Sequence, residues 1–328
     1  MTPAAPPRLK VLFAFAAIYL IWGSTYLAIH YAIESLPPYL MTGIRFLVAG
    51  GLLYAWARLR GATATWAHWR SAILTGGLML FGGMGTVAVA QQWVPSGVTA
   101  LIIALVPLWM VLIEWLRPGG TRPDTRVWLG IGLSLVGLVL LVDPFSGMDG
   151  VNVSLLGVGL LLLSTLSWSA GSILSRAVPL PTSPLLSTGM QMLVASVLML
   201  LVSWLKGDFA QLDVQAISAR SVFGLGYLIA FGSIVAFTAY LWLLRVSTPA
   251  LVGTYAFVNP VIAMLLGWSL NGESLTPPTL MGAMLILAAV AVIVSRPRAQ
   301  AKASAPGFAE PARVAPGASP IEPTCCVK

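Results

Sequence analysis

Apolar residues dominate this chain in ten stretches, at approximately 10–29, 38–57, 71–91, 97–116, 127–142, 154–175, 184–205, 221–244, 249–270 and 278–295. Short polar or proline-containing joints separate them. A helix needs about 20 apolar residues to cross a hydrocarbon core, and only the fifth stretch is clearly short of that. In lipid every backbone amide must be paired within its own segment, so such runs are expected to be helices. The pattern predicts an all-α integral membrane protein with ten transmembrane helices. The first stretch is too long for the core of a signal peptide, and no small-residue cleavage site follows it. Residues 1–9 form a short N-terminal tail. Residues 296–328 are rich in Ala and Pro, lack apolar periodicity and are expected to be a disordered tail.

The pattern occurs twice. Thr42-Gly43-Ile44-Arg45-Phe46-Leu47-Val48-Ala49 returns 146 positions later as Thr188-Gly189-Met190-Gln191-Met192-Leu193-Val194-Ala195, with five identities in eight. At the same offset Trp22 matches Trp168 and Pro38 matches Pro184, and further on Phe81-Gly82 recurs as Phe231-Gly232. Each copy, 10–142 and 154–295, holds five stretches. An odd number makes the second copy enter the membrane from the opposite face. The expected architecture is two inverted five-helix repeats about an axis in the membrane plane, with a substrate site near mid-depth.

Composition agrees with this placement: 58% of residues are hydrophobic and 9% charged, with 32 Gly and 12 Trp. A formal charge of +8 does not point to nucleic acid, because the basic residues lie in short loops and tails. Fifteen of the 18 fall on one side of the alternating joints, which places both termini in the cytoplasm of a multi-pass inner-membrane protein. The lipid bilayer is then the main partner besides a small-molecule substrate, and a homodimer is left open. Cys325 and Cys326, the only cysteines, are adjacent, so neither a disulfide framework nor a CxxC metal site is expected. The glycines of Gly76-Gly77 and Gly82-Gly83-Met84-Gly85 lack the spacing of a phosphate loop. No cofactor and no metal is expected.

Several motifs carry a family resemblance. Trp22-Gly23-Ser24-Thr25 stands in the first stretch and Thr42-Gly43-Ile44-Arg45-Phe46 in the second. Val106-Pro107-Leu108, Val258-Asn259-Pro260-Val261 and Gly272-Glu273 follow. In this order, and repeated, they resemble the drug/metabolite transporter superfamily, in particular its EamA-type exporters, over residues 10 to 295. The resemblance implies a helical bundle around a central cavity that exports small metabolites or toxic compounds. One departure stands out. The family often closes its fourth span with a Gly-Glu pair, whereas Arg117-Pro118-Gly119-Gly120 occupies that corner here.

Candidate transport residues follow from depth and polarity. Pro107 and Pro260 each lie about ten residues into a stretch, roughly 15 Å along the axis and near mid-membrane. Each proline removes one backbone hydrogen bond, freeing the carbonyls of Ile103 and Ala256, so both are expected to kink their helices. Asn259 adds an amide at the same depth. Arg45 is the only ionisable residue well inside a stretch, where it either snorkels outward or anchors an anionic group through its guanidinium fork. Gln191 is its neutral counterpart. Trp22 and Trp168, with Ser24, Thr25, Ser169 and Ser172 beside them, either pack helices together or line a cavity. Tyr255 and Tyr240 form a weaker aromatic pair of candidates. Gln91, Gln92 and Trp93 read as interface anchors, and Glu114 as the local partner of Arg117. The acids, His30 and His68 all sit in joints, tails or helix ends, so no mid-membrane proton relay is expected.

The expected function is a secondary transporter exporting an amino-acid-like or amphipathic metabolite by alternating access. An uptake carrier or a lipid flippase of the same fold is the alternative. A membrane enzyme is disfavoured, since no HExxH, GxSxG or nucleotide signature is present.

Overall fold

The computed structural model describes residues 8–118, 122–123, 125–142, 154–246 and 255–294. The expected disordered tail 296–328 with its two cysteines, the first seven residues, the joint 143–153 and the opening of the ninth stretch lie outside the described residues. The described part is helical throughout, with no strand among the described residues. In chain order it comprises α1 (Arg8–Ala32), α2 (Pro38–Leu59) and α3 (Trp66–Gly76), which runs through a π-helical segment, Gly77–Gly85, into α4 (Thr86–Ala90). Next come α5 (Ser96–Ile103), α6 (Val106–Leu116), α7 (Thr125–Val142), α8 (Leu155–Leu174), α9 (Pro184–Leu205) and α10 (Asp208–Gln211). After a 3₁₀ turn, α11 (Ala219–Tyr227) continues through a second π-helical segment, Leu228–Val235, into α12 (Ala236–Val246). The described chain ends with α13 (Tyr255–Asn271) and α14 (Pro277–Val294).

Seven helical stretches are long and apolar enough to cross a membrane: Arg8–Ala32, Pro38–Leu59, Trp66–Ala90, Ser96–Leu116, Leu155–Leu174, Pro184–Leu205 and Ala219–Tyr240. Three shorter apolar helices, Trp128–Gly137, Val258–Asn271 and Pro277–Ala289, fall in the fifth, ninth and tenth expected stretches. Polar caps start several of these helices. The Ser154, Ser183 and Ser218 hydroxyls accept from backbone N–H groups three residues on. Thr65 and His68 cap α3 reciprocally, each side chain accepting from the other's backbone N–H. His68 is thereby a helix cap. Large apolar side chains such as Leu12, Phe13, Leu52, Val197, Leu201 and Phe223 face outward, as a lipid solvent allows and water does not.

The two prolines behave differently. At Pro107 the fourth expected helix is broken: α5 ends at Ile103, and α6 restarts at Val106 with the proline in its first turn. At Pro260 the helix is not broken, and the proline sits inside the continuous α13. The residues before the two prolines differ in what they can bond. Asn259, with its amide oriented to donate, braces the turn before Pro260 through the carbonyls of Tyr255 and Tyr19, 3.2 Å each. Val106 has no group that could do the same for Pro107.

Packing joins corresponding elements of the two halves. α2 lies against α9, α5 against α13 and α7 against α14. Gly43 faces Leu200, Gly50 faces Met192, and Gly189 faces Tyr54, so α2 and α9 run antiparallel. Across the halves, α1 packs on α13 and on the α11–α12 rod, while α8 packs on α6 and on the α3–α4 rod. Each half thus receives the opening helix of the other. Both π-helical segments lie where these opening helices dock. The Trp22 Nε1–H donates to the Gly232 carbonyl at 3.3 Å, and Ser164 and Ser167 hydroxyls donate to the Gly83 and Leu78 carbonyls at 3.0 and 2.7 Å. A π turn shifts the backbone register, and here side chains from a neighbouring helix take up its carbonyls.

Candidate functional site

Where the opening helices meet the broken fourth helix, the structure holds a cavity with about 620 Å³ of space not occupied by atoms, part of it open to solvent. From α1 come Trp22, Thr25, Tyr26 and Ile29, spaced by three, four and seven residues so that they share one helix face. The α8 helix contributes Ser164, Thr165 and Trp168. Gly83, Met84 and Val87 enter from the rod of α3 and α4, and Ile103 and Val106 flank the break between α5 and α6. Phe237 of α12 with Tyr255 and Asn259 of α13 completes the wall. A smaller pocket shares Tyr26, Ile103, Val106, Tyr255 and Asn259 and extends to Pro260.

The wall is held in place by aromatic packing and by hydrogen bonds behind it. The Trp22 ring lies 5.4 Å from Phe237 and 5.1 Å from Tyr255, both nearly edge-on, and 5.0 Å from Tyr240. Edge-to-face pairs of this kind are worth about 0.5–1.5 kcal/mol beyond the area they bury. Trp109 Nε1–H donates to the Thr165 hydroxyl at 2.9 Å, and that hydroxyl donates to the Leu162 carbonyl at 2.7 Å. The lining contains hydroxyls, one amide, a thioether and two indoles, but no charged side chain. Such a surface suits a solute with an apolar body and few polar groups.

Of the expected residues, Trp22, Thr25, Trp168, Tyr255 and Asn259 meet at this cavity, and Pro107 shapes it through the helix break. Others do not reach it. Ser24 hydrogen-bonds Tyr227 at 2.6 Å and ties α1 to α11. Gln191 donates to Ser187 at 3.3 Å within α9. Arg45 is 1% exposed and does not snorkel; its Nε–H donates to the Ser233 hydroxyl at 2.9 Å. Gln91 donates to the Tyr26 carbonyl at 3.0 Å, and Glu114 pairs with Arg117 at 3.3 Å. Tyr26 and Thr165 were missed by sequence reasoning. The signal was available, since each lies one helical turn from a tryptophan already singled out. Met84 and Phe237 carried no such signal, being apolar residues in apolar stretches. No cluster of three metal-ligating side chains occurs among the described residues.

A helical bundle with several membrane-length helices and an internal cavity, five of whose fifteen lining residues are aromatic, fits a membrane transport protein of small molecules. A family model described as the EamA-like transporter family matches residues 9–143 and again 155–295. The chain belongs to that family. It is 38% identical over 285 residues to the uncharacterized inner membrane transporter YedA of Escherichia coli, covering 85% of this chain and 89% of that one. It is 26% identical over 320 residues to the uncharacterized transporter YvbV of Bacillus subtilis, covering 93% and 98%. A solved crystal structure shares the fold with a TM-score of 0.60 at 23% identity, covering 88% of this chain and 98% of the other. The protein is a multi-pass inner-membrane transporter.

Proposed function

We propose that this chain exports a small amphipathic or amino-acid-like metabolite by alternating access. In this reading ten spans form two inverted repeats, 10–142 and 154–295, with both termini cytoplasmic. The observation that carries it is the make-up of the cavity, whose walls draw on both halves, nine residues from the first and six from the second, and include the matched pair Trp22 and Trp168. The antiparallel crossing of α2 and α9 supports the inversion. The direction of transport rests on the resemblance to exporters.

Two experiments test the reading. Comparing metabolites in the medium of overexpressing and deletion strains identifies the solute, and efflux from preloaded liposomes then measures its transport. Trp22→Ala and Asn259→Ala are each expected to lower that efflux at least about tenfold, equivalent to about 1.4 kcal/mol of lost interaction, with normal membrane insertion. Full efflux in both would remove the cavity from the pathway. Topology is tested with single cysteines in a background lacking Cys325 and Cys326. Positions Gly61 and Ser304 should label only from the cytoplasm, and Gln211 and Val214 only from outside. Labelling of both pairs from one face would overturn the inverted repeat.

A further inference from the structure

Among the described residues, Arg45 is a charge without a counter-charge. It is 1% exposed, its single hydrogen bond goes to the neutral Ser233, and no carboxylate lies within ion-pair distance among the described residues. The two ion pairs among those residues, Glu114 with Arg117 and Glu34 with Arg220, both sit at helix ends. The ring of Phe46, 5.0 Å away, polarises toward the guanidinium but cannot neutralise it. A guanidinium does not discharge by losing its proton within a protein, so the positive charge stays.

Its position relative to the cavity is fixed by Gly232 in the second π-helical segment. The methyl carbon of Thr25 and a guanidinium nitrogen of Arg45 lie 3.0 and 3.3 Å from the point where a side chain on Gly232 would begin. Thr25 and Trp22 line the cavity, and Trp22 is hydrogen-bonded to the Gly232 carbonyl. The guanidinium therefore stands one residue's thickness behind the wall. Its counterpart in the second half, Gln191, is neutral and engaged by Ser187.

Aromatic walls of this type ordinarily attract ammonium groups through their ring faces. A buried, uncompensated cation nearby opposes that attraction, and in a medium of low dielectric the repulsion is weakly screened. We propose that Arg45 sets the charge selectivity of the cavity from behind its wall: neutral and anionic amphiphiles are accepted and organic cations are rejected. This rests on the cavity being the substrate site, and it names the class of substrate that the site takes. Arg45 is here a positioning and specificity residue that does not touch the solute.

The test uses the full chain in lipid nanodiscs and three probes sharing one naphthyl group: a naphthylalkyl alcohol, the matching carboxylate and the matching trimethylammonium. Equilibrium dialysis against empty discs measures each affinity. In the native protein the ammonium is expected to bind at least tenfold more weakly than the alcohol, and the carboxylate at least as tightly as the alcohol. In Arg45→Gln the ammonium-to-alcohol ratio should rise at least fivefold, while Arg45→Lys should keep the native ratio. Equal binding of ammonium and alcohol by the native protein overturns the proposal and needs no variant to do so. An unchanged ratio in Arg45→Gln overturns it as well. Failure of all three probes to bind removes the cavity reading together with this one, whereas alcohol binding without discrimination removes this one alone.

Discussion

Gly50→Leu should abolish most of the folded protein, while Gly51→Leu, one residue along the same helix, should leave it almost untouched. A side chain on Gly50 would begin 2.7 Å from the Met192 Cβ and 3.1 Å from both the Gly189 carbonyl and the Leu193 amide. Two of those three atoms are backbone, so no rotamer change relieves the clash. The reciprocal residue, Gly189, meets the Tyr54 amide at 2.7 Å. At Gly51 nothing lies within 4 Å. Overpacking of a core ordinarily costs about 1–3 kcal/mol, and a crossing that must separate two backbones should exceed the upper figure. Size-exclusion yield and thermal midpoint in detergent read the difference. Equal yields for the two variants would mean that α2 and α9 do not cross as closely as described.

Glu273→Ala should rank next in effect. The chain turns sharply after α13, where Gly272 has φ +64°, and the Glu273 carboxylate swings back over the start of α5. One oxygen accepts from the Ser96 amide at 3.0 Å and the Ser96 hydroxyl at 2.7 Å, and the other accepts from the Gly97 amide at 3.1 Å. The first amides of a helix have no partners of their own, and a negative charge there also opposes the positive helix end. Removing the carboxylate strands buried donors at roughly 1–3 kcal/mol each, so the variant should lose about 3–5 kcal/mol. Glu273→Gln retains one accepting oxygen but turns an NH₂ toward an N–H, and should lose about half as much. Thermal unfolding of the purified protein measures both. A midpoint for Glu273→Ala equal to that of the native protein would show that the cap contributes nothing.

These features differ in how readily the sequence discloses them. Helix positions were legible because crossing a membrane imposes a length and a composition that few other structures need. Trp22 and Trp168 were legible through the repeat, which marks equivalent positions without showing what they face. Tyr26 follows from Trp22 by helical spacing alone. The partner of Glu273 was hidden, since Ser96 lies 177 residues away and neither residue advertises the other. The π-helical segments were hidden for a related reason: their carbonyls are claimed by side chains from distant helices, so the backbone responds to tertiary contacts rather than to local propensity. Prolines at similar depth gave one broken helix and one unbroken helix, a difference that the proline itself does not announce.

The docking of each half's opening helix into the other half has a consequence for the order of assembly. Trp22 is synthesised 210 residues before Gly232, the acceptor of its hydrogen bond. At about 5–20 residues per second the ribosome needs on the order of 10–40 s to supply that acceptor. Throughout that interval the Trp22 indole lacks its acceptor, while the Ser24 and Thr25 hydroxyls can bond only carbonyls of their own helix. The first half on its own lacks the surface on which α1 packs, and the second half alone lacks the helix that covers it. A chain divided between residues 142 and 154 should therefore accumulate only when both pieces are made in the same cell, and each piece made singly should be degraded.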